Sequence, residues 1–299
     1  AVLDRREPER PTLFEFFMND PLYDRLTNGQ FRGVEAPSRQ YWRRQILAFT
    51  NAGYDYVNIR SCDFAFPGPE VRQEASRSLN EGASIADRSS FEAYPWPKPE
   101  DCDYSCIEEL APELPKGSKF IVWGPGGVLE NAIALVGYQN LCMMTMDDPE
   151  LTRDLFDAIG SRLLKYYEIS LQFDSVGAII SNDDWGFKTQ PMLAPADLRK
   201  YVFPWHKRMV EAAHSAGKPA ILHSCGNFDE IMDDVIDNIG YDGKHSYEDA
   251  ILPVEESYER WGGRIAILGG LDLDFVCRSK PEEIRKRKLF PYPPLWHPL

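Results

Sequence analysis

His223-Ser-Cys225-Gly-Asn227 is the stretch of this chain best equipped for chemistry, and it follows directly on the apolar run Pro219-Ala-Ile-Leu222. In an extended segment residues two apart point to the same side, so the His223 imidazole and the Cys225 sulfur are expected to emerge together from a strand end. A nitrogen and a sulfur donor suit zinc, which takes such ligands in a tetrahedron and keeps one position open when it does chemistry. Alone the pair is a weak signal, because a buried Cys is common as a small apolar residue and a lone His is commonly a satisfied core residue. A catalytic zinc usually takes three protein donors, and Cys277 is the first candidate for the third. The competing reading makes Cys277 a buried loop thiol. His245 is the other candidate, equally readable as a hydrogen-bonded rim residue that positions substrate, and it stands with the candidate catalytic groups.

Carboxylates accompany these donors. Asp183 and Asp184 follow the apolar segment 175–180. Neighbouring positions of an extended chain face opposite ways, so one of the two enters a pocket while the other caps or bonds within the loop. Asp184 is favoured as the group that orients substrate or donates a proton, and Asp183, Trp185 and Asn227 are counted as substrate-binding. Glu130, in Gly124-Pro-Gly-Gly-Val-Leu-Glu130, is a further catalytic candidate whose alternative role is helix capping. The glycines there are weak evidence of phosphate binding, since no Lys-Ser/Thr follows them.

The elements that must carry these residues alternate from about residue 118 onward. Strands are expected at 119–123, 175–180, 219–223, 242–246 and 264–268, with helices at 148–171, 195–216, 228–239 and 253–261 and another opening at Pro281. Asp147-Asp148-Pro149-Glu150 and Ser279-Lys-Pro281-Glu-Glu carry the cap-plus-proline signature of helix starts. Strand–helix repetition implies parallel strands joined by right-handed crossovers. The polar clusters fall where strands stop, as at the catalytic rim of a (β/α)8 barrel, and no Gly-x-Gly-x-x-Gly follows an early strand.

Earlier in the chain, a helix over 37–52 stopping at Gly53 and a first strand over 54–60 are expected. Residues 61–117, rich in Pro, Gly and aromatics, form an irregular excursion suited to a cap or lid that walls the pocket. The prolines of the tail 289–299 forbid a central strand. The whole, 1–299, is expected to be one α/β domain, a TIM barrel in which either the last strand and helix are absent or one strand lies uncounted in the irregular N-terminal third.

With 47 acidic against 33 basic residues and a net charge of −14, no basic stripe is present to bind nucleic acid. The six scattered cysteines favour reduced thiols, and without a long apolar run the expectation is a soluble, cytoplasmic protein away from membranes. Nothing sets the oligomeric state, and a homodimer is kept open.

Taken together, Gly124-Pro-Gly-Gly-Val-Leu-Glu130, Asn182-Asp-Asp-Trp-Gly186, His223-Ser-Cys-Gly-Asn227, Lys244-His-Ser-Tyr-Glu-Asp249 and Gly269-Gly-Leu-Asp-Leu-Asp-Phe-Val-Cys277 with Pro281-Glu-Glu-Ile resemble the uroporphyrinogen decarboxylase superfamily. Within it the likeness is to the corrinoid-dependent methyltransferase branch, and it spans roughly residues 30 to 288. The resemblance implies a (β/α)8 barrel and a catalytic zinc held partly by His223 and Cys225. It also implies a small methylated substrate, such as a methyl ether or methylamine, and a cobalamin carried by a separate corrinoid protein. Two departures stand out. The decarboxylases carry an arginine-rich N-terminal segment that grips porphyrinogen carboxylates, whereas Pro11-Thr-Leu-Phe-Glu-Phe-Phe17 has no arginine. Relatives continue into a Gly-rich last strand and closing helix, whose place the Pro-rich tail takes. The alternatives are a metal-free decarboxylase and a truncated paralogue that keeps the pocket without turnover.

Overall fold

The computed structural model describes residues 1–6, 8–10, 12–68, 79–80 and 84–288. The expected tail 289–299 and part of the excursion, 69–78 and 81–83, lie outside the described residues. Six strands form one parallel sheet in sequential order: β1 (Tyr56–Ile59), β2 (Lys119–Trp123), β3 (Val176–Asn182), β4 (Ala220–His223), β5 (Gly243–His245) and β6 (Ala266–Leu268). Sequential order without reversal is barrel topology, since a doubly wound sheet reverses direction at a switch point. The expected α/β fold is therefore present, with six parallel strands in barrel order among the described residues, and β6 does not pair with β1, so the sheet is not closed among them.

Local chemistry sets the helix ends. The Ser38 side chain accepts the Tyr41 N–H and Gly53, at φ 86°, ends helix Arg39–Ala52; Asp148 caps helix Pro149–Ser170 by accepting the Leu151 N–H. The stretch read as a helix over 228–239 is looser. Its regular part, Asp234–Ile239, is wound in wide turns, and the N–H of Gly240 reaches back to the carbonyl of Val235.

Strand alternation divides the core in two. Phe120, Val122, Ile179 and Leu222 face outward into the layer shared with the helices. Ile121, Ala178, Ile180, Ile221, Ala266 and Leu268 face inward and form a separate buried cluster with Phe16. Two residues beyond Ile221 on the same face stands His223, and two beyond Ile180 stands Asn182, so the inner face leads to the rim.

The N-terminal segment bridges the unpaired seam. The Tyr56 hydroxyl takes the Glu15 N–H at 2.7 Å and donates to the Glu15 carbonyl at 2.8 Å, while the Asn58 amide donates to the carbonyls of Glu15 and Phe16. On the other side Arg5 Nη1 donates to the carbonyls of Gly263 and Arg264 at 3.0 and 2.7 Å. The excursion expected to act as a lid packs, over its described part, on the outer layer. Ile85, Tyr94, Ile107 and Leu110 are buried there, and Arg162, from helix Pro149–Ser170, lies over the Trp96 ring and donates to the Pro97 carbonyl.

Candidate metal centre at the strand ends

Three donors converge where β3 and β4 end. Ligand atoms of Asp184, His223 and Cys225 all lie within 4.8 Å of one another. The ladder explains why: Asn182 pairs in register with His223, so the residues following each strand meet across one step of the sheet. The loops are then locked. Asp184 Oδ1 accepts the Cys225 N–H at 2.7 Å, the Trp185 N–H donates to Ser224 Oγ at 3.1 Å, and the Asn227 N–H donates to the Phe187 carbonyl at 2.8 Å. Gly226, at φ +95°, sits against the backbone of Gly186; a Cβ on it would stand 2.1 Å from the Gly186 oxygen, so only glycine permits the crossing.

The two adjacent aspartates part as alternation requires. Asp183 is fully buried, and its carboxylate accepts the N–H groups of Leu129 and Glu130 at 3.0 and 2.8 Å and meets His206 Nε2 at 2.9 Å. It caps helix Val128–Val136 from the core, and Gly127 has no Cβ because one would overlap the Asp183 side chain. The expectation that Asp183 binds substrate is thus corrected, since every approach to its carboxylate is filled by protein. Trp185 is corrected likewise: it is sealed among Phe203, His206 and Phe228. Asn227 stays half-buried, with Oδ1 accepting the Asp229 N–H at 3.0 Å.

Cys277 is not brought to the group. It is exposed on helix Leu273–Arg278, beyond β6, and among the described residues the third donor beside His223 and Cys225 is Asp184. His245 also stands outside the donor group, with its Nδ1 2.7 Å from the Nδ1 of His223. Glu130 accepts the Gly127 N–H at 3.0 Å and lies next to both aspartates. Sequence reading passed over Asn182, whose buried Oδ1 has no hydrogen-bond partner among the described residues, and the rings of Phe14 and Phe16, centred 5.0 Å from His245 and 4.8 Å from His223. Alternation from Ile180 was the available signal for Asn182; none pointed to the N-terminal rings.

Burial dominates the electrostatics. It pushes the Cys225 thiol up to about 11, with the Asp184 charge adding to the effect. Burial and then the charges of Asp183 and Asp184 push the Glu130 carboxyl up to about 8. Burial lowers His223, and burial with His223 beside it brings His245 down to about 3, so both imidazoles are neutral near pH 7. Lys244, enclosed between the Phe228 and Tyr247 rings, is lowered by burial to about 7.

A sequence model of the family described as uroporphyrinogen decarboxylase (URO-D) matches residues 67–289. The chain belongs to that family. This URO-D chain is 27% identical over 130 residues to the uroporphyrinogen decarboxylase of Myxococcus xanthus, a stretch covering 43% of this chain and 34% of that relative. The match thus spans about a third of the curated relative's length. In structure it is similar to a methyltransferase from Methanosarcina mazei, with a TM-score of 0.60 and 15% identity over 89% of this chain and 80% of that one. That likeness shows the fold, in agreement with the barrel expected from sequence.

The donor set of this URO-D chain fits a zinc-type cation. It joins a neutral imidazole, a thiol and a carboxylate, the nitrogen, sulfur and oxygen ligands such an ion accepts, and three protein donors leave a fourth position for substrate. Among the described residues no helix is long and apolar enough to cross a membrane.

Proposed function

We propose that this chain is the barrel subunit of a zinc-dependent methyltransferase that moves a methyl group between a small methylated compound and the cobalamin of a separate corrinoid protein. The observation that carries the reading is the meeting of Asp184, His223 and Cys225 at the strand ends. When bound there, zinc supplies Lewis acidity to the heteroatom that carries the methyl group, or a lowered pKa to an acceptor thiol.

The other residues suit that task. Phe14 and Phe16 give the inner face an apolar wall beside the two imidazoles, which favours a methyl-bearing ligand over water. The raised Glu130 carboxyl keeps its proton near neutral pH beside Asp184, where it is placed to serve a basic leaving group. The Asn182 Oδ1, without a hydrogen-bond partner among the described residues, offers an acceptor for orienting a substrate N–H or O–H.

A decarboxylase acting on a carboxylated pyrrole is the second reading, favoured by the sequence match to the Myxococcus xanthus protein. Against it, 12–17 holds no arginine to grip carboxylates and its Phe14 and Phe16 rings occupy the inner face.

Elemental analysis of protein purified without added zinc, beside the Cys225→Ala variant, separates the two. The methyltransferase reading expects zinc in the first and its loss from the second. It also expects methyl–cobalt absorbance to grow when reduced corrinoid protein and a methoxylated aromatic are mixed with the wild type. Equal zinc in both proteins overturns the ligand assignment, and carbon dioxide release without metal favours the decarboxylase.

A further inference from the structure

Three consecutive residues of the β5 end each reach one residue of the β4 end. His245 Nδ1 stands 2.7 Å from His223 Nδ1, Lys244 Nζ donates to the Ser224 carbonyl at 3.1 Å, and Ser246 Oγ lies 3.3 Å from Cys225 Sγ. The ladder sets this up, because His223 and His245 are register partners and the Ser224 N–H donates to the His245 carbonyl at 3.2 Å. Lys244 closes the arrangement by donating to the Ser246 carbonyl at 2.6 Å as well. Ser246 itself is held at φ 85°, a region that side-chain-bearing residues seldom occupy and that native structures maintain mainly where a function requires it.

We infer that Lys244-His245-Ser246 is a template that aims the donors: His245 accepts the Nδ1 proton of His223 and leaves the His223 Nε2 lone pair for the cation, Ser246 fixes the direction of the Cys225 sulfur, and Lys244 binds the two loops together. The inference rests on the metal reading proposed above. A 2.7 Å contact between two ring nitrogens holds one proton. Were that proton on His245, neutral His223 would carry its own at Nε2 and present an N–H to a cation. With the proton on His223, Nε2 is bare, and the Nε2–H of His245 becomes the free donor. Metal-ligating histidines are usually oriented in this way by an acceptor at the other ring nitrogen, here an imidazole. The Phe16 and Phe14 rings, packed against His223 and His245, shield the pair from competing water. His245 and Ser246 are therefore positioning residues that act through His223 and Cys225.

Nitrogen NMR of protein labelled at its five histidines reads the proton directly, with His223→Gln and His245→Gln assigning the signals. In metal-free protein His223 is expected protonated at Nδ1 and bare at Nε2, with His245 the reverse. Added zinc should shift His223 Nε2 and leave His245 Nε2 a protonated donor. In chelator competition His245→Leu should weaken zinc binding by ~10–100-fold, His245→Gln, whose side-chain oxygen still accepts, should recover most of the loss, and Ser246→Ala should cost less than ~10-fold. A shared proton on His245 in the zinc-loaded protein, a zinc shift on His245, or wild-type affinity in a folded His245→Leu overturns the inference. Wild-type protein that takes up no zinc overturns the metal reading instead; the spectrum of the metal-free protein then decides the proton's place alone, whether or not any variant folds.

Discussion

The rims of β3, β4 and β5 and the seam between β6 and β1 are built by opposite means. At the first, ladder register is continued past the strand ends mainly by backbone contacts, the Phe187 carbonyl to the Asn227 N–H and Gly226 laid on Gly186, with the Asp184 carboxylate accepting the Cys225 N–H beside them. At the second no strand pairing is present among the described residues, and side chains do the joining, Tyr56 and Asn58 from β1 and Arg5 onto the start of β6. The difference teaches where precision resides. Backbone ladders hold neighbouring strand ends in register, which aligned donors need, whereas a seam of rings and long side chains shields the interior while tolerating small shifts.

Substitutions at the two places should separate these roles. Gly226→Ala forces a side chain into a left-handed backbone position and against Gly186; it should destabilise the fold by about 2–4 kcal/mol in urea unfolding and, on the proposed zinc reading, abolish zinc uptake. Phe16→Ala removes a buried ring from the inner cluster, but Phe14 is only half-buried and Phe17 is exposed, so the neighbours can settle. The expected cost is about 2–3 kcal/mol, under the ~3–5 of a fully enclosed phenylalanine, with zinc retained. If Phe16→Ala loses more zinc than Gly226→Ala, the contrast between the two places collapses. Cys277→Ser should change stability by less than about 0.5 kcal/mol and leave zinc content unaltered, because the thiol is exposed and apart from the donors. Zinc loss in that variant would restore the sequence expectation that Cys277 is a ligand.

Much of this was legible in the chain itself. The run Lys119-Phe-Ile-Val-Trp123 is dense in residues that favour a pleated, buried surface, and it forms β2 over those bounds. Period-two alternation foretold that His223 and Cys225 share a side and that Asp183 and Asp184 part. Alternation cannot tell which loop lies beside which, so Asp184 as the companion of Cys225 needed the pairing of Asn182 with His223. Donor type pointed to Cys277, but sulfur chemistry carries no information on position. The template residues Lys244 and Ser246 were hidden for another reason: their partners, the Ser224 carbonyl and the Cys225 sulfur, stand at the end of the neighbouring strand, reached only once the pairing of β4 with β5 is known. The excursion 61–117 was readable as irregular, yet only burial shows that its described aromatics belong to the outer layer.

The crossing of Gly226 over Gly186 has a consequence for how such a chain can diversify. Two loops pinned at one point behave as a single piece, so lengthening either would drag the carboxylate away from the sulfur. Insertions placed away from this crossing leave the carboxylate and the sulfur together.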